Sequence, residues 1–338
     1  MSKPLIKAFI IDDSSIIRFA LAKLLGDEGD IVVVGDAPFT ASLSSQIEHS
    51  GANMLILDIP VPREKGIQEM KKLHKFHLPV IVFTKSNDSI ARDLIPLLDA
   101  GAVGFVIKPD KTEELSLIKA QLLHELRLNV QSIPDHPKGV KYLDPQWVVA
   151  IGSSTGGPEA LAKILPQFPK SFRGGVVIVQ HMPPDFTTRF AARLNGLSNL
   201  PVKEAATGDL VEPGQILIAP GDFHLVFKEI CKGNRRVAQA VLTKDPPMWK
   251  LRPTVDRMML SLAPIFGQHL VGIILTGMGE DGVVGMRSIK RNGGHTLVQN
   301  KETSVVFGMA QEVIKSNLAD EVLALDRIIP RALNIVPQ

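Results

Sequence analysis

Short apolar runs that end abruptly in polar residues recur along this chain, and helical patterns separate them. In the first third the runs are Ala8–Ile11, Ile31–Val34, Met54–Leu57, Val80–Phe83 and Gly104–Ile107. After the first run, Ile16, Ile17, Phe19, Ala20, Leu24 and Leu25 return at helical spacing. Continuous apolar runs alternating with amphipathic helices predict βα units around a parallel sheet buried on both faces. Helical periodicity fades from about Leu128 to Gln146, where Pro134, Pro137, Gly139 and Pro145 collect. The pattern therefore predicts a domain over 1–127, a linker over 128–146 and a second domain over 147–338. In that second domain the runs Trp147–Ile151, Gly175–Gln180, Gln215–Ala219, Val271–Leu275 and His295–Gln299 predict another α/β domain with a mostly parallel sheet.

The polar residues that follow these runs carry the chemistry. Asp12, Asp13, Asp58, Thr84 and Lys108 all fall at the C-terminal ends of first-domain strands, the edge where open α/β sheets bind ligands. Three carboxylates converging there need a hard cation, and oxygen ligands completed by water suit Mg²⁺. A lysine beside them can pair with a phosphoryl oxygen, and a threonine hydroxyl can hydrogen-bond it.

In the second domain, Gly152-Ser153-Ser154-Thr155-Gly156-Gly157-Pro158 joins a strand to the helical pattern Glu159–Leu165. Two chemistries want such a turn. The frame G-x-S-x-G puts Ser154 at the apex of a nucleophile turn, whereas a phosphate cradle at a helix N-terminus also needs glycines. A serine nucleophile requires a base, itself held by a third group. Of the nine histidines, His181 and His224 follow strand runs directly, and His224 with Asp222 forms a base–orienter pair that competes with His181. For the acid, Asp281 stands in the glycine-laced loop Gly277–Gly282, which can bring backbone close to a ligand.

Composition narrows the setting. The one cysteine, Cys231, allows no intrachain disulfide and agrees with a reducing compartment. Met1-Ser2-Lys3-Pro4 does not read as the start of a signal peptide. No apolar stretch reaches the ~20 residues a membrane span needs, so a cytoplasmic protein without membrane insertion is expected. The net charge of +3 gives no case for nucleic acid, and Arg235-Arg236 is only a short basic cluster. A DNA-binding output would call for a basic helix-turn-helix, where this chain has strands ending in glycine-rich turns. A dinucleotide site is disfavoured too, because the turn lacks G-x-G-x-x-G.

The first-domain constellation resembles the receiver domain of bacterial response regulators, over residues 5 to about 126. The resemblance implies a (βα)5, flavodoxin-like fold and a histidine kinase that phosphorylates Asp58. It implies Mg²⁺ held by Asp13, Asp58 and the main-chain carbonyl of Pro60, with Asp12 assisting through water. Thr84 and Lys108 would read the phosphorylated state, and the rotamer of Phe105 would follow it. Pro60-Val61-Pro62, Lys65 and a proline inside the fourth helix, Pro96, depart from the usual pattern.

In the second domain Gly152–Gly157, Gln180-His181-Met182-Pro183-Pro184, Ile218–Asp222, Arg252-Pro253-Thr254-Val255-Asp256, Leu275–Gly282 and Val306–Met309 resemble, in order, the CheB family of chemotaxis protein-glutamate methylesterases. That likeness implies a doubly wound α/β effector with Ser154 as nucleophile, His181 as general base and acid, and Asp281 as orienting carboxylate. Backbone N–H groups of Thr155 and Met278 would meet the oxyanion. Methylated chemoreceptor helices would be the substrate, with glutamine deamidation by the same machinery in some members and activation by phosphorylation of the receiver. A response regulator with a non-catalytic binding output is the alternative. Ser153, Glu280, Leu251 and Trp249 depart from the family's usual residues. Glu280 is expected to act on the proton affinity of Asp281 by like-charge repulsion, and Trp249 either to line the substrate groove or to be partly buried.

Overall fold

Each apolar run of the first third forms one strand of a computed structural model that describes residues 5–40, 43–58, 63–76, 78–85, 96–97, 100–109, 112–130, 142–233 and 235–336. These strands are β1 (Ile6–Ile11), β2 (Ile31–Ala37), β3 (Met54–Asp58), β4 (Val80–Lys85) and β5 (Ala102–Lys108). They pair in parallel in the order β2-β1-β3-β4-β5. The order reverses between β1 and β3, which opens a crevice at their C-terminal ends. Ile6, Ala8, Ile10, Met54, Ile56, Ile81, Phe83 and Val106 are buried with Leu21 and Leu25 of the first helix, Ser15–Gly26. That helix starts where Ser14 Oγ accepts the Ile17 N–H at 3.4 Å, a weak N-cap.

The chain divides into two compact units, Met1–Asp135 and His136–Gln338. The helix Lys119–Val130 runs a little into the expected linker. At that linker's other end, Tyr142–Leu143 form β6, which pairs with a strand of the second unit. Pro96 and Leu97 are helical, and the Ala100 N–H donates to the Pro96 carbonyl at 3.0 Å. The other residues expected to form the fourth helix, and Pro60, lie outside the described residues.

In the second unit the strands are β7 (Val148–Ser153), β8 (Gly175–Gln180), β9 (Val202–Glu204), β10 (Ile216–Ile218), β11 (His224–Lys232), β12 (Arg235–Thr243), β13 (Leu270–Ile274), β14 (His295–Gln299) and β15 (Glu321–Leu323). Seven of them make one parallel sheet, ordered β15-β14-β13-β7-β8-β10-β9. The chain passes from β7 to β8 on one side and later returns to β13 on the other, so the topological switch point lies at the C-terminal end of β7. Buried Val149, Ile151, Val176, Ile178, Val271 and Ile273 fix this centre. Both units match the α/β architecture read from the sequence. The additions are the short edge strands β9 and β15 and the antiparallel β11–β12 hairpin, to which β6 attaches.

Candidate active site

At the C-terminal edge of the first sheet, Lys108 Nζ reaches Asp12 Oδ2 at 3.0 Å and Asp58 Oδ2 at 3.1 Å. The lysine thus joins the buried Asp12 to the partly exposed Asp58, across the two strands that flank the crevice. Asp13 is exposed, and its Oδ1 accepts the Phe39 N–H at 3.0 Å. Thr84 and Phe105 are both buried, on β4 and β5. The donor set of Asp12, Asp13 and Asp58 is all oxygen, which suits a hard cation. Among the described residues, however, no group of three or more His, Cys, Asp or Glu side chains is gathered closely enough to hold a metal ion.

The second edge is built at the switch point. Ser154 leaves β7 as its N–H donates to the Thr276 carbonyl, 3.0 Å away at the end of β13. Gly277 presses on it from that side, since a Cβ at Gly277 would stand 2.8 Å from the Ser154 Cβ. His181 follows β8, and its N–H donates to the Ser153 carbonyl at 3.1 Å. Its Nε2 donates to Asp281 Oδ2 at 2.7 Å. The other ring nitrogen, Nδ1, is buried and has no hydrogen-bond partner. Among the described residues the Ser154 hydroxyl is also unpartnered, so the expected serine–histidine bond is not made in this conformation. Nucleophile–base bonds in free enzymes are often long and tighten only with substrate. The backbone N–H groups of Thr155 and Met278 are likewise unengaged among the described residues.

Asp281 is held with unusual completeness. Its Oδ2 also accepts the Val255 N–H at 2.7 Å, and its Oδ1 the Asp256 N–H at 2.9 Å. Both donors open the helix Val255–Phe266, whose N-terminal partial charge favours a carboxylate. Asp256 returns the favour: its Oδ1 accepts the N–H groups of Gly282 and Gly285 at 2.9 and 2.7 Å, at the start of the helix Val283–Arg291. Its Oδ2 accepts the Trp249 indole N–H at 2.9 Å. Burial, with the neighbouring Asp281 charge second, pushes the Asp256 carboxyl well above the usual carboxylate range. Asp256 is thus a like-charge neighbour of Asp281. Half-buried Trp249 supports that carboxylate. Sequence reasoning missed Asp256, although it stands inside the Arg252–Asp256 motif; nothing in the spacing marked it as facing Asp281.

His224 is not a competing base. It is fully buried at the start of β11, with Nε2 3.2 Å from the Pro246 carbonyl and Nδ1 3.2 Å from Thr254 Oγ1. Asp222 instead binds Arg252 Nη2 at 2.5 Å. Desolvation, with the Arg257 charge second, lowers the His224 pKa from 6.5 to about 4. The folded state therefore binds fewer protons than the unfolded chain, and the sign of the linkage is fixed. The contribution is whole above pH 6.5 and is lost as pH falls toward 4, by about 3 kcal/mol. Urea unfolding of His224→Gln between pH 7 and pH 4.5 should show a clearly smaller loss of stability than the wild type; an equal loss would assign the acid sensitivity to other groups.

A parallel five-stranded unit with an acidic edge, followed by a parallel unit that sets Ser154, His181 and the buried Asp281 at one sheet edge, defines a class: a response-regulator unit joined to a hydrolase. The family model for the CheB methylesterase matches residues 149–332, and that for the response regulator receiver domain matches residues 8–121. The chain belongs to the CheB methylesterase family. It is 32% identical to the protein-glutamate methylesterase/protein-glutamine glutaminase of Pyrococcus abyssi, over 98% of this chain and 94% of that one. To the protein of the same name from Clostridium acetobutylicum it is 35% identical, over 98% of each. Among solved structures, the Thermotoga maritima CheB methylesterase catalytic domain is similar at 44% identity with a TM-score of 0.54, covering 56% of this chain and 98% of that one. No helix among the described residues is long and apolar enough to cross a membrane.

Proposed function

We propose that this chain hydrolyses glutamyl γ-methyl esters on chemoreceptor helices with Ser154 as nucleophile, under the control of phosphorylation at Asp58. The observation that carries the reading is the His181–Asp281 bond of 2.7 Å, which leaves a buried, unpartnered Nδ1 one strand away from Ser154. With Nε2 holding its proton against Asp281, Nδ1 is the basic nitrogen. Ser154 Oγ attacks the ester carbonyl and gives its proton to Nδ1. The tetrahedral oxyanion meets the backbone N–H groups of Thr155 and Met278. Collapse breaks the C–O bond to the methoxy group, which takes the proton from Nδ1 and leaves as methanol. Water then attacks the acyl-serine, again losing a proton to Nδ1, and free glutamate and Ser154 are regenerated. A glutamine side chain entering the same site would release ammonia in place of methanol.

In the first unit, Asp13 and Asp58 with the Pro60 carbonyl would hold Mg²⁺, Asp12 assisting through water, and the ion would neutralise charge during phosphoryl transfer from a histidine kinase. Lys108 already touches Asp58 and is placed to pair with an incoming phosphoryl oxygen. Thr84 and Phe105 respond to that state. A small phosphodonor with Mg²⁺ is expected to raise methanol release from methylated receptor by the full chain, and Asp58→Asn to lose that rise. A rise that persists in Asp58→Asn would remove phosphorylation at Asp58 from the mechanism.

A further inference from the structure

Gln180 and Ser153 flank His181 and Ser154 in sequence, and neither has a part in the chemistry above. Both are buried, at 2% and 0% exposure. They are register partners in the last pair of the β7–β8 ladder. Beyond that pair the strands separate into the two turns, and the Gln180 side chain continues the connection. Its Nε2 donates to the Ser154 carbonyl at 2.9 Å and to the His181 carbonyl at 3.0 Å. Ser153 Oγ donates to its Oε1 at 2.7 Å. Every hydrogen-bonding role of the amide head is filled except a second acceptor position on Oε1. A reversed amide would place its oxygen against two carbonyl oxygens and its nitrogen against the hydroxyl, so the Ser153 bond selects one orientation. No slack is left, because a Cβ at Gly157 would lie 2.0 Å from Oε1.

The Ser154 carbonyl belongs to the peptide unit whose N–H is that of Thr155. A planar trans peptide points its C=O and N–H in opposite directions, so whatever fixes the carbonyl fixes the N–H. Gly157 N–H donates to the same carbonyl at 2.8 Å, and Thr276 Oγ1 holds the next carbonyl, that of Thr155, at 2.8 Å. Donation to a peptide oxygen also polarises the unit and strengthens its N–H as a donor.

We propose that Gln180 is a positioning residue that aims and polarises the Thr155 N–H toward the developing oxyanion, and that Ser153 locks Gln180 in the orientation that does so. The proposal rests on the reading of Ser154 as nucleophile and Thr155 as oxyanion donor. An interaction of this kind is felt in the transition state and hardly in substrate binding.

The test is steady-state methanol release from a methylated chemoreceptor by the full-length chain. Direct removal of an oxyanion donor costs roughly 10²–10³ in kcat, so Gln180→Met, which acts indirectly, is expected to lose about 10- to 100-fold in kcat with KM within about twofold. Ser153→Ala keeps the amide but frees its orientation and is expected to lose about threefold in kcat. The double variant should match Gln180→Met alone, because Ser153 acts only through Gln180. A folded Gln180→Met with wild-type kcat, a loss confined to KM, or additive effects in the double variant would overturn the proposal. If Gln180→Met does not fold, an unchanged kcat in Ser153→Ala overturns it. Ser154→Ala in the same assay separates the two levels. A kcat near the wild-type value in Ser154→Ala sinks the nucleophile assignment itself, whereas its collapse there with full activity in Gln180→Met sinks only this inference.

Discussion

Ser154→Ala is expected to lower kcat for methanol release by at least about 10⁴-fold, the scale on which other enzymes lose activity with their serine nucleophile. Stability should move little. The Ser154 side chain is half-buried and its hydroxyl has no hydrogen-bond partner among the described residues, so its removal breaks nothing in the folded state and should stay within about 0.5 kcal/mol. The pairing of a large kinetic effect with an unchanged melting curve distinguishes a reacting hydroxyl from a structural one. Turnover of each variant with methylated receptor, beside calorimetry, checks it. A residual rate well above the uncatalysed reaction is expected, because oxyanion donors and substrate binding survive the substitution.

Asp281→Asn is the second large effect and has the opposite profile. Both carboxylate oxygens of Asp281 face N–H donors: His181 and Val255 at Oδ2, Asp256 at Oδ1. An amide must turn its own N–H₂ toward one of those sides. If it faces His181, the imidazole loses the acceptor that fixes its tautomer, and kcat falls by about 10⁴-fold. In that position it also takes the acceptor of the Val255 N–H; if it stands in the place of Oδ1 instead, the buried Asp256 N–H loses its acceptor, each at a cost of about 1–3 kcal/mol. Either outcome lowers activity or stability, and the network makes a mixture of the two the expected result. Removing the Asp281 charge also relieves the adjacent carboxyl, so Asp256 should titrate closer to the ordinary carboxylate range. Wild-type kcat and an unchanged melting temperature together would contradict both consequences.

The two sheets could be read because fully buried parallel strands are written as unbroken apolar runs. The polar residue ending each run then marks the functional edge, which made Asp58, Ser154 and His181 conspicuous. β11 and β12 escaped for the same reason. Arg235, Arg236 and Gln239 interrupt β12 with polar residues, and the hairpin borrows its burial from the helix Val255–Phe266, as in the Phe227 N–H bond to Ser261 Oγ. β9 and β15 are three residues each, too short for any periodicity. Within the site, position along the chain made His181 and Asp281 candidates and the family resemblance chose them over His224 and Asp222, but neither told how their bonds are distributed. That Nε2 faces Asp281 and that Asp256 shares its burial depend on helix N-termini meeting in three dimensions. His224 and Asp222 look like a pair in sequence because they are two residues apart. The turn between them sends one into the core and the other to Arg252.

Acid-quenched turnover of a methylated chemoreceptor by the full-length chain tests the central claim most directly, with methanol measured in solution and the trapped acyl group located by mass spectrometry. Methanol equal to the ester lost, with the acyl group on the peptide containing Ser154 and at Ser154 itself, is the expected result. No methanol, or an acyl group on Ser153 or any other residue, would contradict it.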